Sequence, residues 1–61
     1  MSLAGFTLTL GQFVEQLSTG KVGTYCGLDP DFGLPVIRFD DDRPGISRLV
    51  HLEDLTLEEP A

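Results

Sequence analysis

One histidine, one cysteine and ten carboxylates are the side chains with the most chemistry to offer in this 61-residue chain. Histidine catalysis needs a second group that orients the ring, and no fixed spacing supplies one for His51. Between Val50 and Leu52 in a strand it would point away from both, so it reads as a surface side chain. Ser47 and Cys26 lack a nucleophile context such as G-x-S-x-G. S-T-G-K at 18–21 lacks the earlier glycine and the following Ser or Thr of a phosphate-binding loop. Cys26 and His51 together fall short of the four ligands of a structural zinc site. A single cysteine cannot bridge internally, so Cys26 is expected to be a small buried hydrophobe, the alternative being an intermolecular disulfide. An acid/base carboxylate pair needs a cleft that raises one pKa, and so short a chain leaves little material for both a core and a pocket. The expectation is a non-enzymatic protein without a cofactor.

The carboxylates are unevenly placed. Through Leu28 the chain carries only Glu15 and Lys21, whereas nine acids and three arginines follow, for a net charge of −6. Crowded like charges destabilise a compact state and favour partners of opposite sign. Asp29, Asp31, Asp40, Asp41, Asp42, Glu53 and Asp54 are therefore the candidate partner-binding residues, directed at a protein with a basic surface. The Asp40-Asp41-Asp42 run is either a protein-contact patch or a solvated hairpin tip. It does not fit a calcium loop, whose twelfth position is a bidentate Glu, because position twelve counted from Asp40 is His51. Phosphate binding needs clustered Lys and Arg, so direct nucleic-acid or anionic-lipid binding is not expected. No apolar run reaches the roughly 20 residues of a membrane span, and the opening MSLAGFTLTLG lacks the features of a signal peptide. With the cysteine usage, this predicts a cytoplasmic protein. Oligomeric state is left open.

These residues must be positioned by one small domain, 1–61, with 1–5 and 59–61 expected to fray. Residues 8–20 admit two readings. Thr9 and Gln12 form a T-x-x-Q capping box, and Leu10, Phe13, Val14 and Leu17 recur at helical spacing. As a strand, Phe13, Glu15 and Leu17 would instead alternate with Val14 and Gln16. The remainder reads as β: a strand over 21–26, turn chemistry at 29–33, a strand over 34–39 that Pro35 marks as an edge or entry, and a polar loop at 40–45. A return strand over 46–52, a tight turn at 53–55 and a last short strand over 56–58 follow. The expected core comprises Phe13 or Val14, Leu17, Val22, Val36, Ile37, Phe39, Leu49, Val50, Leu52, Leu55 and Leu57.

Taken in order, G-Q-F-V (11–14), G-K-V-G-T (20–24), L-P-V-I-R-F (34–39) and L-V-H-L-E-D-L (49–55) resemble the small SH3-like barrels of photosynthetic electron-transfer complexes. The small ferredoxin-docking protein of photosystem I and the variable chain of ferredoxin–thioredoxin reductase are such barrels. The resemblance spans roughly residues 10–57. It implies an all-β fold, a small SH3-like barrel of about five short antiparallel strands, closed by a 3₁₀ turn at the E/D-L pair. The alternative is an α+β domain, a helix over 10–18 packed on a three-stranded antiparallel sheet. The loop between the first two strands is short here, and acids stand where the family carries the basic residues that dock ferredoxin, so that role does not transfer. By size and acidity the chain also resembles phage anti-CRISPR and other DNA-mimic inhibitors. Three functions compete: an inhibitor or regulator whose carboxylate face occupies a basic nucleic-acid-binding surface, a structural accessory subunit of a respiratory or photosynthetic complex, and a peptide-binding SH3 module. The last is poorly served by a chain with no Trp and one Tyr.

Overall fold

A computed structural model describes residues 8–58, so the expected fraying of 1–5 and 59–61 lies outside the described residues. Five strands are present: β1 (Phe13–Gln16), β2 (Val22–Leu28), β3 (Pro35–Phe39), β4 (Arg48–Leu49) and β5 (Leu55–Leu57). They form one antiparallel sheet in the order β4-β3-β2-β1-β5. The first four strands meander, and the fifth returns past three of them to pair with β1, giving the all-β fold of five short antiparallel strands that was expected. A 3₁₀ turn, Leu52–Asp54, feeds β5.

The helix alternative over 10–18 does not form, although its capping signal is real. The Thr9 N–H donates to Gln12 Oε1 at 3.1 Å, as in a capping box, and the Gln12 N–H donates to the Thr9 carbonyl at 3.0 Å. Gly11 then turns to φ +84°, a left-handed value that stops a helix at its first residues. The Gly11 N–H reaches the Tyr25 carbonyl at 2.9 Å, and the Tyr25 N–H reaches the Gln12 carbonyl at 2.9 Å. Pairing with β2 thus takes the backbone groups that a helix would have used internally.

The sheet register sets the core. Val14 lies opposite Gly23, Gly23 opposite Phe39, and Tyr25 opposite Ile37. These alternate inward-facing positions, with Val50 and Leu55, make the buried apolar cluster, and Leu8, Leu52 and Leu57 pack against it. Gly23 is required by crowding: a Cβ there would stand 2.7 Å from both the Arg38 carbonyl oxygen and Ile37 Cγ2. Its absence lets β2 and β3 coil tightly at this corner. Further along, Tyr25↔Ile37 and Leu28↔Pro35 enclose an irregularity, one extra residue on β2.

Several side chains take the other face. Cys26, expected inside, is exposed, because Tyr25 next to it points inward and strand neighbours alternate. Leu17 and Leu49, also expected in the core, are exposed; Leu17 leaves β1 for the following turn, and Leu49 ends the two-residue β4. Of the pair Phe13 or Val14, Val14 is the buried member. The return strand shrinks from 46–52 to Arg48–Leu49, and the last strand moves one residue earlier, to Leu55–Leu57. Pro35 opens β3, where its missing N–H leaves no gap in the ladder, and its carbonyl accepts the Val50 N–H at 3.0 Å.

Removing a fully buried leucine typically costs about 2–5 kcal/mol, while a domain of this size holds only about 3–5 kcal/mol. Leu55→Ala should therefore largely unfold the isolated protein. Leu17→Ala should shift stability by no more than about 0.5 kcal/mol, as for a surface position. Urea titration followed by Tyr25 fluorescence and circular dichroism checks both; equal losses for the two variants would contradict the assigned core.

Candidate functional site

The seven candidate carboxylates do not share one face. Val22 opens β2 beside the 40–47 loop, through the Asp40 N–H to the Val22 carbonyl at 3.0 Å, whereas Leu28 closes β2 beside the 29–33 turn. Six residues of strand rise separate these ends by about 20 Å. Asp40, Asp41, Asp42 and Asp54 gather at the first end, around the 17–21 turn. Asp29 and Asp31 stand at the second, and Glu53, next to Asp54 in the chain, lines a hollow with Leu28, Gly33 and Pro35.

Four of the seven are engaged inside the molecule. Asp54 accepts from the Ser18 N–H at 3.0 Å, the Ser18 hydroxyl at 2.7 Å and Gln16 Nε2 at 3.0 Å. Gln16 in turn accepts from the Thr19 hydroxyl at 2.9 Å, so one network joins the β1–β2 turn to the 3₁₀ turn. Hydrogen bonding from Ser18, reinforced by Gln16 and by the nearby His51, holds the Asp54 carboxyl below its ordinary value despite an opposing contribution from desolvation. Asp42 takes a fork from Arg48, Nε to Oδ2 at 2.8 Å and Nη2 to Oδ1 at 3.1 Å. That pairing lowers the Asp42 pKa and raises that of Arg48. Asp41 pairs with Lys21 at 3.2 Å. Asp29 caps its own turn, accepting the N–H groups of Asp31 at 3.1 Å and Phe32 at 2.8 Å.

Asp31, Asp40 and Glu53 make no side-chain hydrogen bond or ion pair among the described residues. The hollow that Glu53 lines is apolar and lies next to the 29–33 turn that carries Asp31. It measures about 330 Å³ and is lined by Leu8, Tyr25, Leu28, Leu34, Pro35 and Leu52. Beside it, Leu28 and Phe32 stand 62% and 73% exposed. The exposed apolar group at this end has no counterpart in the sequence reading, which followed charge alone. Its signal was Phe32 placed in the middle of a turn.

A second hollow, about 380 Å³, opens at the first end between β3 and the 40–47 loop, lined by Thr24, Arg38, Phe39, Asp40, Asp42, Arg43 and Pro44. Arg38 and Arg43 have no carboxylate within salt-bridge distance among the described residues, unlike Lys21 and Arg48. Counting the three arginines against nine acids along the sequence missed this sorting, since only the fold shows which acid Arg48 takes. His51 is exposed, as expected. Among the described residues, no three His, Cys, Asp or Glu side chains gather to hold a metal ion. Nor, among the described residues, is any helix long and apolar enough to cross a membrane.

Asp42 and Asp54 both titrate lower folded than unfolded, so each contributes stability that is present above the unfolded aspartate value and lost as pH falls through the folded one. Thermal unfolding should show a midpoint that falls steadily below about pH 4. In Asp54→Ala the midpoint at neutral pH should be lower and its acid dependence shallower. An Asp54→Ala variant with the parent's full acid slope would remove this carboxylate from the account.

Compared with known proteins, the chain matches no family model, no curated protein and no solved structure.

Proposed function

We propose that this chain is a small acidic, non-enzymatic protein-binding inhibitor or regulator, acting in the cytoplasm on a protein with a basic nucleic-acid-binding surface. The supporting observation is an apolar hollow lined by Glu53, Leu28 and Gly33, next to the turn that carries Asp31 and exposed Phe32; both carboxylates are free of internal partners among the described residues. An apolar centre with a polar rim is the anatomy of a protein interface. The surrounding turn is rigidly held, since Asp29 is committed to the backbone N–H groups within it. The unpaired Asp31 on such a turn presents phosphate-like charge without first having to be ordered. With a net charge of −6, the molecule would be steered to a cationic surface and would displace nucleic acid there. Asp40, at the opposite end, adds to this long-range attraction more than to contact. The anti-CRISPR and DNA-mimic inhibitors resemble it in this respect, by size and charge.

A structural accessory subunit is the second reading. It is favoured by Leu10 and Phe13, 69% and 59% exposed, which add apolar surface outside the hollow's lining. Such a subunit would hold its complex through apolar contacts that salt does not weaken.

Affinity capture from the native host separates the two readings. The wild-type protein should retain a nucleic-acid-binding protein that added duplex DNA or raised salt releases. Asp31→Asn/Glu53→Gln should slow its association about tenfold at low salt, with the difference vanishing at high salt. Retention that survives high salt, ignores DNA and is equal for the double variant would overturn the inhibitor reading in favour of the accessory role.

A further inference from the structure

We propose that the hollow between β3 and the 40–47 loop is a binding site for a phosphate-type oxyanion, held by Arg38 and Arg43 with the Thr24 hydroxyl. The site does not depend on the docking face at the other end of the sheet. Four cations serve ten carboxylates in this chain. Where acids are so abundant, an arginine on a well-held element without a carboxylate partner is unusual. Lys21 and Arg48 are both paired, and the two that are not, Arg38 and Arg43, line one hollow of about 380 Å³.

The walls are held before any ligand arrives. Arg38 and Thr24 lie directly opposite each other on β3 and β2, so both project from adjacent strands of the same sheet face. Arg43 stands on a loop fixed at four points. The Asp40 N–H bonds the Val22 carbonyl at 3.0 Å, the Asp42 N–H the Phe39 carbonyl at 3.2 Å, and the Ile46 N–H the Arg43 carbonyl at 3.1 Å. The Arg48 fork on Asp42 is the fourth. That fork also settles the local charge. Asp42 lines the hollow but is neutralised by Arg48, which leaves two guanidiniums against the single carboxylate of Asp40. The region is thus locally cationic within a molecule of net charge −6, whose more distant carboxylates are screened over about 8 Å at physiological salt.

The chemistry selects the ligand. A planar guanidinium presents parallel N–H donors that match two oxygens of one phosphate, and two such forks with a hydroxyl satisfy a tetrahedral dianion better than a planar carboxylate. Asp40 discriminates further. It repels a fully ionised group at close range but accepts a hydrogen bond from a protonated phosphate oxygen, which acetate cannot offer at neutral pH.

The test uses the full chain and the probes inorganic phosphate, pyrophosphate and acetate, titrated at constant ionic strength. Nitrogen-edited NMR follows the backbone amides and the arginine Nε–H groups. Phosphate or pyrophosphate should produce saturable shifts confined to Thr24, Arg38, Arg43 and the 40–47 loop. Arg38→Gln and Arg43→Gln, each with the parent's dispersed amide spectrum, should weaken that binding about tenfold or more, the equivalent of one charge-assisted hydrogen bond. Arg38→Lys, which keeps the charge and loses the fork, should weaken it as well. Shifts that never saturate, that persist in both Gln variants, or that acetate reproduces at the same concentration would overturn the site.

Discussion

The return of the chain's end to its beginning is the constraint on which this structure depends. β5 is only three residues long and pairs with β1 alone, yet it carries Leu55, one of the fully buried side chains. So short a strand has little pairing of its own to hold it. Its attachment comes from the residue before it: Asp54 gives its carbonyl to the Leu17 N–H at 2.7 Å and its carboxylate to Ser18 and Gln16. One residue therefore closes a loop of more than thirty positions, with its backbone and its side chain acting on the same turn. The entropy of closing that loop rises slowly with length, so one well-made contact set can offset it.

That use of Asp54 changes how the acidity of the chain should be understood. Excess charge looks like a single functional face when counted along the sequence. In three dimensions, Asp29, Asp42 and Asp54 stabilise three different turns, each by accepting hydrogen bonds from groups a few residues or a whole sheet away. The turns so fixed then carry the charged groups that remain unpaired: Asp31 beside Asp29, and Asp40 and Arg43 beside Asp42. Carboxylates serve here as scaffold for other charges. This division accounts for a chain that tolerates a −6 imbalance in a fold whose described core contains no buried polar side chain.

Much of the fold was legible where physics acts locally. The 29–33 turn was readable from Asp, Pro and Gly, and β3 from its apolar run entered through Pro35. The choice of strand over helix at 13–16 was readable only from the ordered glycine motifs, because the local capping signal is satisfied in the turn and stops at Gly11. Side-chain facing was harder. Period-two alternation does not say which parity is inside, so Cys26 was expected to be buried where Tyr25 is, and Leu17 counted as core because nothing local shows that β1 ends at Gln16. The candidate site was legible as composition and not as geometry: the acids could be named, but that Asp42 takes Arg48 and Asp54 takes Ser18 depends on contacts 6 and 36 residues apart. Arg38 and Arg43 become visible only once those partners are assigned.

Native-state hydrogen exchange tests the closure most directly, because it reads individual amides. The Leu17 and Glu58 N–H groups bond across β1 and β5, to the Asp54 and Phe13 carbonyls, while the Tyr25 N–H belongs to the β1–β2 side of the sheet. If closure holds the whole domain together, Leu17, Glu58 and Tyr25 should exchange with the same free energy, that of global unfolding. In Asp54→Ala all three should lose protection by an equal amount. If Leu17 and Glu58 exchange freely while Tyr25 stays protected, β5 frays independently, and the four remaining strands stand without it.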